Sequence, residues 1–130
     1  MTMHSARNGL LTIILLTLMT SFAQAGGVGA AEDFVYLDQQ ARLITLEGMK
    51  SRRDGLNASL TRSELMKIDE GTRDEVIALF AEHGVTPSQH ATYGSRHAQE
   101  IDQWLEAHPS WDATYDELQR EFDSLSAAMR

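Results

Sequence analysis

Between Trp111 and Met129, apolar side chains fall at Trp111, Tyr115, Leu118, Phe122, Leu125 and Met129, in alternating steps of four and three. That heptad stripe predicts an amphipathic helix over 111–129 with one face against a neighbour. Ser110 is its expected cap. A looser version of the same period runs through three upstream segments. Phe34, Leu37, Ala41 and Ile44, with Met49 further along, predict a helix over 32–54. Its first turn carries Glu32 and Asp33 and its last carries Lys50, Arg52 and Arg53, an order that suits the helix dipole. Gly48 weakens its interior, and Gly55 is expected to close it in the C′ position.

Leu65, Ile68, Thr72, Val76, Leu79 and Phe80 share one face of a second helix, over 61–83. Its start is strongly marked. Thr61 and Glu64 have capping-box spacing, with Leu60 and Leu65 placed as a hydrophobic staple. His83-Gly84 supplies the stop. The third segment, 87–107, opens the same way, with Thr86 as cap, Pro87 in the first helical position and Gln89 completing the box. Its stripe is Ala91, Gly94, Ala98, Ile101 and Leu105, with Trp104 beside it, and the small residues admit a close helix neighbour. His108-Pro109 ends it. At an offset of 25 the second and third openings align, as do Glu75 with Glu100 and His83 with His108. We read this as two helices of equal length with equal caps. No strand pattern of comparable quality occurs, and the linkers are short. The expected fold is therefore all-α, a small antiparallel bundle of about four helices.

The first 25 residues fall outside that pattern. Arg7 precedes an apolar run from Leu10 to Met19, and Ala23-Gln24-Ala25 follows. A basic start, a short apolar stretch and A-x-A make up a cleavable secretory signal. The run is shorter than the ~20 residues of a bilayer span. No Cys follows it, so a lipoprotein anchor is chemically excluded, and no stable membrane anchor is expected after cleavage. The expected organisation is a signal peptide at 1–25, a flexible Gly-rich lead at 26–31 and a single helical domain at 32–130, in a periplasmic or secreted protein.

Composition sharpens this picture. The 130-residue chain has 19 Asp+Glu, 11 Lys+Arg and no Cys, for a formal charge of −8. Loss of the signal would remove Arg7 and no acid, making the charge one unit more negative. Such a chain has no electrostatic reason to bind nucleic acid. Without Cys it has no disulfides, thiolate nucleophiles or Cys-based metal sites, so stability must come from apolar burial.

Chemistry-bearing patterns are few. His90, His97 and His108 are too far apart along a helix to share one ion. His97 and Glu100 have usable i,i+3 spacing and are weak metal candidates. A more common role for these histidines is on surfaces or at helix ends. Four His in an acidic exported chain would also shift its charge as pH falls through ~6.5. Between Arg96 and Arg120 no basic residue occurs, whereas Glu100, Asp102, Glu106, Asp112, Asp116 and Glu117 do. On amphipathic helices such a run is a solvated face; its functional form is a negative patch for a basic partner. Trp104 and Trp111 flank the last turn, placed to close one end of the core or to anchor a partner. No G-x-S-x-G elbow or phosphate loop occurs, so an enzyme is not expected and no cofactor is implied.

Leu60-Thr61-Arg62-Ser63-Glu64 and Val85-Thr86-Pro87-Ser88-Gln89 resemble the repeated L-T-x-x-Q motif of small periplasmic stress chaperones over ten positions. Glu64 replaces Gln in the first and Val85 replaces Leu in the second. The resemblance implies an exported helical protein with a chaperone-like role. The sequence thus points to a protein–protein interaction module, chaperone-like or stress-related. A periplasmic immunity or inhibitor protein that covers a basic toxin or enzyme is an alternative, and a metal- or pH-responsive protein another. The heptad seams leave a homodimer open.

Overall fold

The computed structural model describes residues 28–130. The expected signal peptide and residues 26–27 lie outside the described residues. Five helices pack together: α1 (Ala31–Asn57), α2 (Arg62–Glu82), α3 (Pro87–Arg96), α4 (Ala98–Ala107) and α5 (Pro109–Ala128). Among the described residues there is no strand, and no helix is long and apolar enough to cross a membrane.

Both expected capping boxes form. Thr61 accepts from the Glu64 amide at 3.2 Å, and the Glu64 carboxylate accepts from the Thr61 amide. Thr86 and Gln89 repeat the exchange at 3.1 and 2.9 Å. Gly84 follows α2 at φ 69°, the left-handed stop expected there.

Three boundaries depart from expectation. α1 runs through Gly55 to Asn57, and the chain reverses at Ser59, at φ 58°. Gly55 serves packing: a Cβ there would meet Leu60 and Leu65 at 2.8 and 3.0 Å. α5 starts at Pro109 with His108 as its cap, two residues before the expected Ser110 cap, because Pro needs no amide partner in the first turn. The single helix expected over 87–107 is two helices, broken at His97 (φ −120°, ψ 26°). There the Tyr93 carbonyl accepts both from the His97 amide at 2.9 Å and from the His97 ring Nδ1 at 3.1 Å. A side chain competing for the backbone ladder just after a Gly94-Ser95 pair is a recognised cause of a kink. The bundle therefore has five helices where about four were expected.

α1 is the central element and packs against every other helix. Its contacts with α2 run in opposite directions, from Tyr36 and Leu37 beside Phe80 to Gly48 beside Thr72 and Gly55 beside Leu65. That pair is antiparallel, as expected. Its contacts with α5 ascend together: Gln39 with Trp111, Leu46 with Leu118, Lys50 with Glu121. The α1–α5 pair is parallel, because the broken α3–α4 unit carries the chain back.

The core has two parts strung along α1. Tyr36, Leu37, Phe80 and Val85 form one, with Val28, Val76, Leu79 and Trp111 packed on it. Leu46, Leu118 and Leu125 form the other, with Met49 and Met129. Surrounded near its start, α1 buries Val35, Tyr36 and Gln39 as well as the expected Leu37. The α5 seam holds except at Phe122, which is 43% exposed and lines a groove of about 230 Å³ with Arg42, Thr45, Leu46, Leu118 and Gln119.

Polar ties fix α5 on α1. Buried Gln39 donates from Nε2 to the Trp111 carbonyl at 2.8 Å. The Tyr115 hydroxyl donates to Asp38 Oδ2 at 2.7 Å, and Arg42 Nε donates to the same oxygen at 3.0 Å. Burial, then the Asp38 charge, push the Tyr115 phenol far above its usual value. Tyr115→Phe is expected to cost about 1 kcal/mol in urea unfolding, the ordinary worth of such a bond.

Candidate functional site

The carboxylates singled out from the sequence lie where an amphipathic pattern puts them. Glu100, Asp102 and Glu106 on α4, and Asp112 and Asp116 on α5, are exposed; Glu117 is half-buried. Spacings of four place Asp102 with Glu106, and Asp112 with Asp116, on common helix faces. The two tryptophans sit at the joint between these helices. Trp111 packs on the first core cluster, Trp104 meets it edge-on at 5.9 Å, and both are half-buried. His108 locks the joint. Its ring stacks on Trp104 at 4.0 Å while Nδ1 donates to the Trp104 carbonyl at 2.7 Å.

The same device ends α3. His97 stacks on Tyr93 at 4.0 Å and donates from Nδ1 to the carbonyl four residues back. His83, at the C-cap of α2, meets Tyr36 edge-on at 6.0 Å. Three successive helices thus end on histidine. The weak metal pair, His97 and Glu100, gathers no third ligand. Among the described residues no group of three His, Asp or Glu side chains is placed to hold a metal ion.

His83 closes α2 as expected but is buried there, whereas His90, expected at a surface or helix end, is buried within α3 and only 6% exposed. His90 lies between two aromatic rings, Phe34 of α1 at 4.2 Å and Phe80 of α2 at 4.8 Å, both stacked. Its Nε2 donates to the Phe34 carbonyl at 3.3 Å. Burial lowers the pKa of both imidazoles from the ordinary 6.5. For His90 the opposing pull of the Phe34 carbonyl and of Asp38 is outweighed. Magnitudes explain why. Removing a cation from water costs several kcal/mol even after relaxation, whereas a desolvated cation–π contact returns on the order of 2 kcal/mol. The Asp38 carboxylate, moreover, is already engaged by Tyr115 and Arg42.

The sequence held a signal for this burial. His90, Gly94, His97 and Ile101 are spaced by four, three and four, so the inward stripe begins at His90, one residue before the expected Ala91. Gly94 is on that stripe for a steric reason: a Cβ there would lie 2.8 Å from two ring carbons of Phe34. Beside this slot, Ser88, Thr92, Tyr93, Arg96 and His97 line an open groove of about 450 Å³ facing Val28 and Gly29.

Fold and site together define a small all-α, cysteine-free protein with an acidic corner and an aromatic–histidine slot. The chain matches no protein-family model. No curated protein and no solved structure matches it either.

Proposed function

We propose that this is an exported, acidic helical protein that acts by binding a protein partner with a basic surface, the α4–α5 corner being the contact. The observation that carries the reading is the run of five exposed carboxylates on two adjoining helices, uninterrupted by Lys or Arg from Arg96 to Arg120. A patch of one sign steers and orients an oppositely charged partner. Trp104 and Trp111 at the joint offer apolar area at the middle of that patch. A chaperone-like role and an immunity or inhibitor role both use this contact and differ only in the partner. Export rests on the three-part pattern in residues 1–25. A pH-responsive role is supported separately by the burial of His90.

The test is affinity capture from a periplasmic extract with the wild-type chain and with the triple variant Glu106→Lys, Asp112→Lys, Asp116→Lys. A stoichiometric basic partner is expected on the wild type. Binding should weaken steeply as salt is raised, because exposed charges are screened beyond ~10 Å at 0.1 M, and the triple variant should lose it. Equal capture by both chains would sink the acidic-corner reading.

A further inference from the structure

We propose that α3 is an acid-released flap, held closed by neutral His90 in the slot between Phe34 and Phe80 and opened when that imidazole takes a proton. This goes beyond partner binding at the acidic corner and does not depend on it.

The geometry of α3 carries the argument. The helix has ten residues, and His90 is its one buried side chain. Two further inward contacts fall on the same Phe34 ring: Gly94 lies against it, and Tyr93 stacks on it at 5.9 Å. Each end of α3 is a joint. Gly84, in the left-handed region, precedes it, and the break at His97 follows it. On its other side the Ser88, Thr92 and Arg96 ridge faces the open groove towards Val28 and Gly29. A short helix between two hinges, seated by one imidazole and unsupported behind, is the element of this bundle with the least holding it down.

The groups facing His90 set the direction. From α1 come Asp38, which favours the charged ring, and Arg42, which opposes it. From α2 comes only the uncharged ring of Phe80, and on α3 itself the nearby phenol is Tyr93. Burial decides, and the docked pKa lies below 6.5. Docking is therefore at full strength above about 6.5. It weakens as pH falls from there towards the docked value, since the released ring binds the proton more readily. Release would uncover the Phe34 and Phe80 rings while the Val85 amide keeps its bond to the Phe80 carbonyl across the turn.

Hydrogen exchange on the full chain at pH 7 and pH 5, corrected for intrinsic rates, tests this. The α3 amides of the wild type are expected to exchange severalfold faster at pH 5 than at pH 7, because the released ring binds the proton more readily than the docked one. Those of α1, α2 and α5 should hold. In His90→Gln, which keeps a donor for the Phe34 carbonyl and has no titrating ring, the ratio should be near one. Unchanged α3 exchange in the wild type, equal acceleration in His90→Gln, or acceleration of all helices together would each overturn the proposal. Should His90→Gln fail to fold, an NMR titration of the wild type decides: Phe34 and Phe80 ring signals that move to exposed positions together with the His90 titration support the flap, and ring signals that stay put while His90 titrates reject it.

Discussion

Replacing Phe80 with alanine is expected to lower the unfolding free energy by about 3–5 kcal/mol, the cost of emptying a buried aromatic site. Phe80 is 5% exposed and belongs to the first core cluster with Tyr36, Leu37 and Val85. It is also one wall of the His90 slot, 4.8 Å from that ring. The variant therefore carries a second signature. Water reaching the slot would let the His90 pKa climb back towards 6.5 as its desolvation is relieved. Urea unfolding at pH 7.5 reads the first effect and an imidazole titration the second. A loss below about 1 kcal/mol, the scale of a surface change, would mean that Phe80 does not hold this end of the bundle. Domains of this size are stable by only about 5–15 kcal/mol, so the variant should approach the edge of folding.

Gly48→Leu is expected to cost roughly 3 kcal/mol, at the upper end for overpacking. Alanine at this place in an isolated helix would stabilise by about 1 kcal/mol. Here α1 and α2 cross so closely that any Cβ on residue 48 comes within 3.0 Å of the Thr72 side chain, its branched Cβ included. The Thr72 hydroxyl is itself tied to the Ile68 carbonyl at 3.0 Å and cannot swing away freely. Thr72→Ala should recover part of the loss in a double-mutant cycle, giving a coupling of about 1–2 kcal/mol. Additive effects would show that the two helices do not meet at this pair.

Much of the local structure was written in the chain. The two capping boxes, the Gly84 stop, the α2 stripe and most of the α5 seam are set by residues within a turn or two of one another, and they form as expected. The acidic corner was legible too. Carboxylates on the polar face of an amphipathic helix point to water whatever lies behind them, and the gap in Lys and Arg is plain in the sequence. The break at His97 was half-legible. Gly94-Ser95 marks a weak point, but the doubled claim on the Tyr93 carbonyl arises only once the ring of His97 has folded back onto Tyr93. Phe122 shows the reverse case: its heptad position is sound, yet it stays 43% exposed on a groove it shares with Arg42, Thr45 and Leu46 of α1.

What the sequence determined by itself is which stretches are helical, where most of them start, which faces are apolar and where the negative charge gathers. All of these depend on short-range hydrogen bonding and on the 3.6-residue period. The tertiary structure alone decided that α1 is central and buries Gln39, that α5 runs parallel to it, that Gly48 is a crossing point, that the close neighbour Gly94 admits is the Phe34 ring, and that His90 is sealed between two phenylalanines. An imidazole suits a surface, a helix end or an aromatic slot equally well as a residue type. Only the arrival of α1 and α2 on either side removed its water, and that loss of hydration is what turns an ordinary histidine into a proton-sensitive seat.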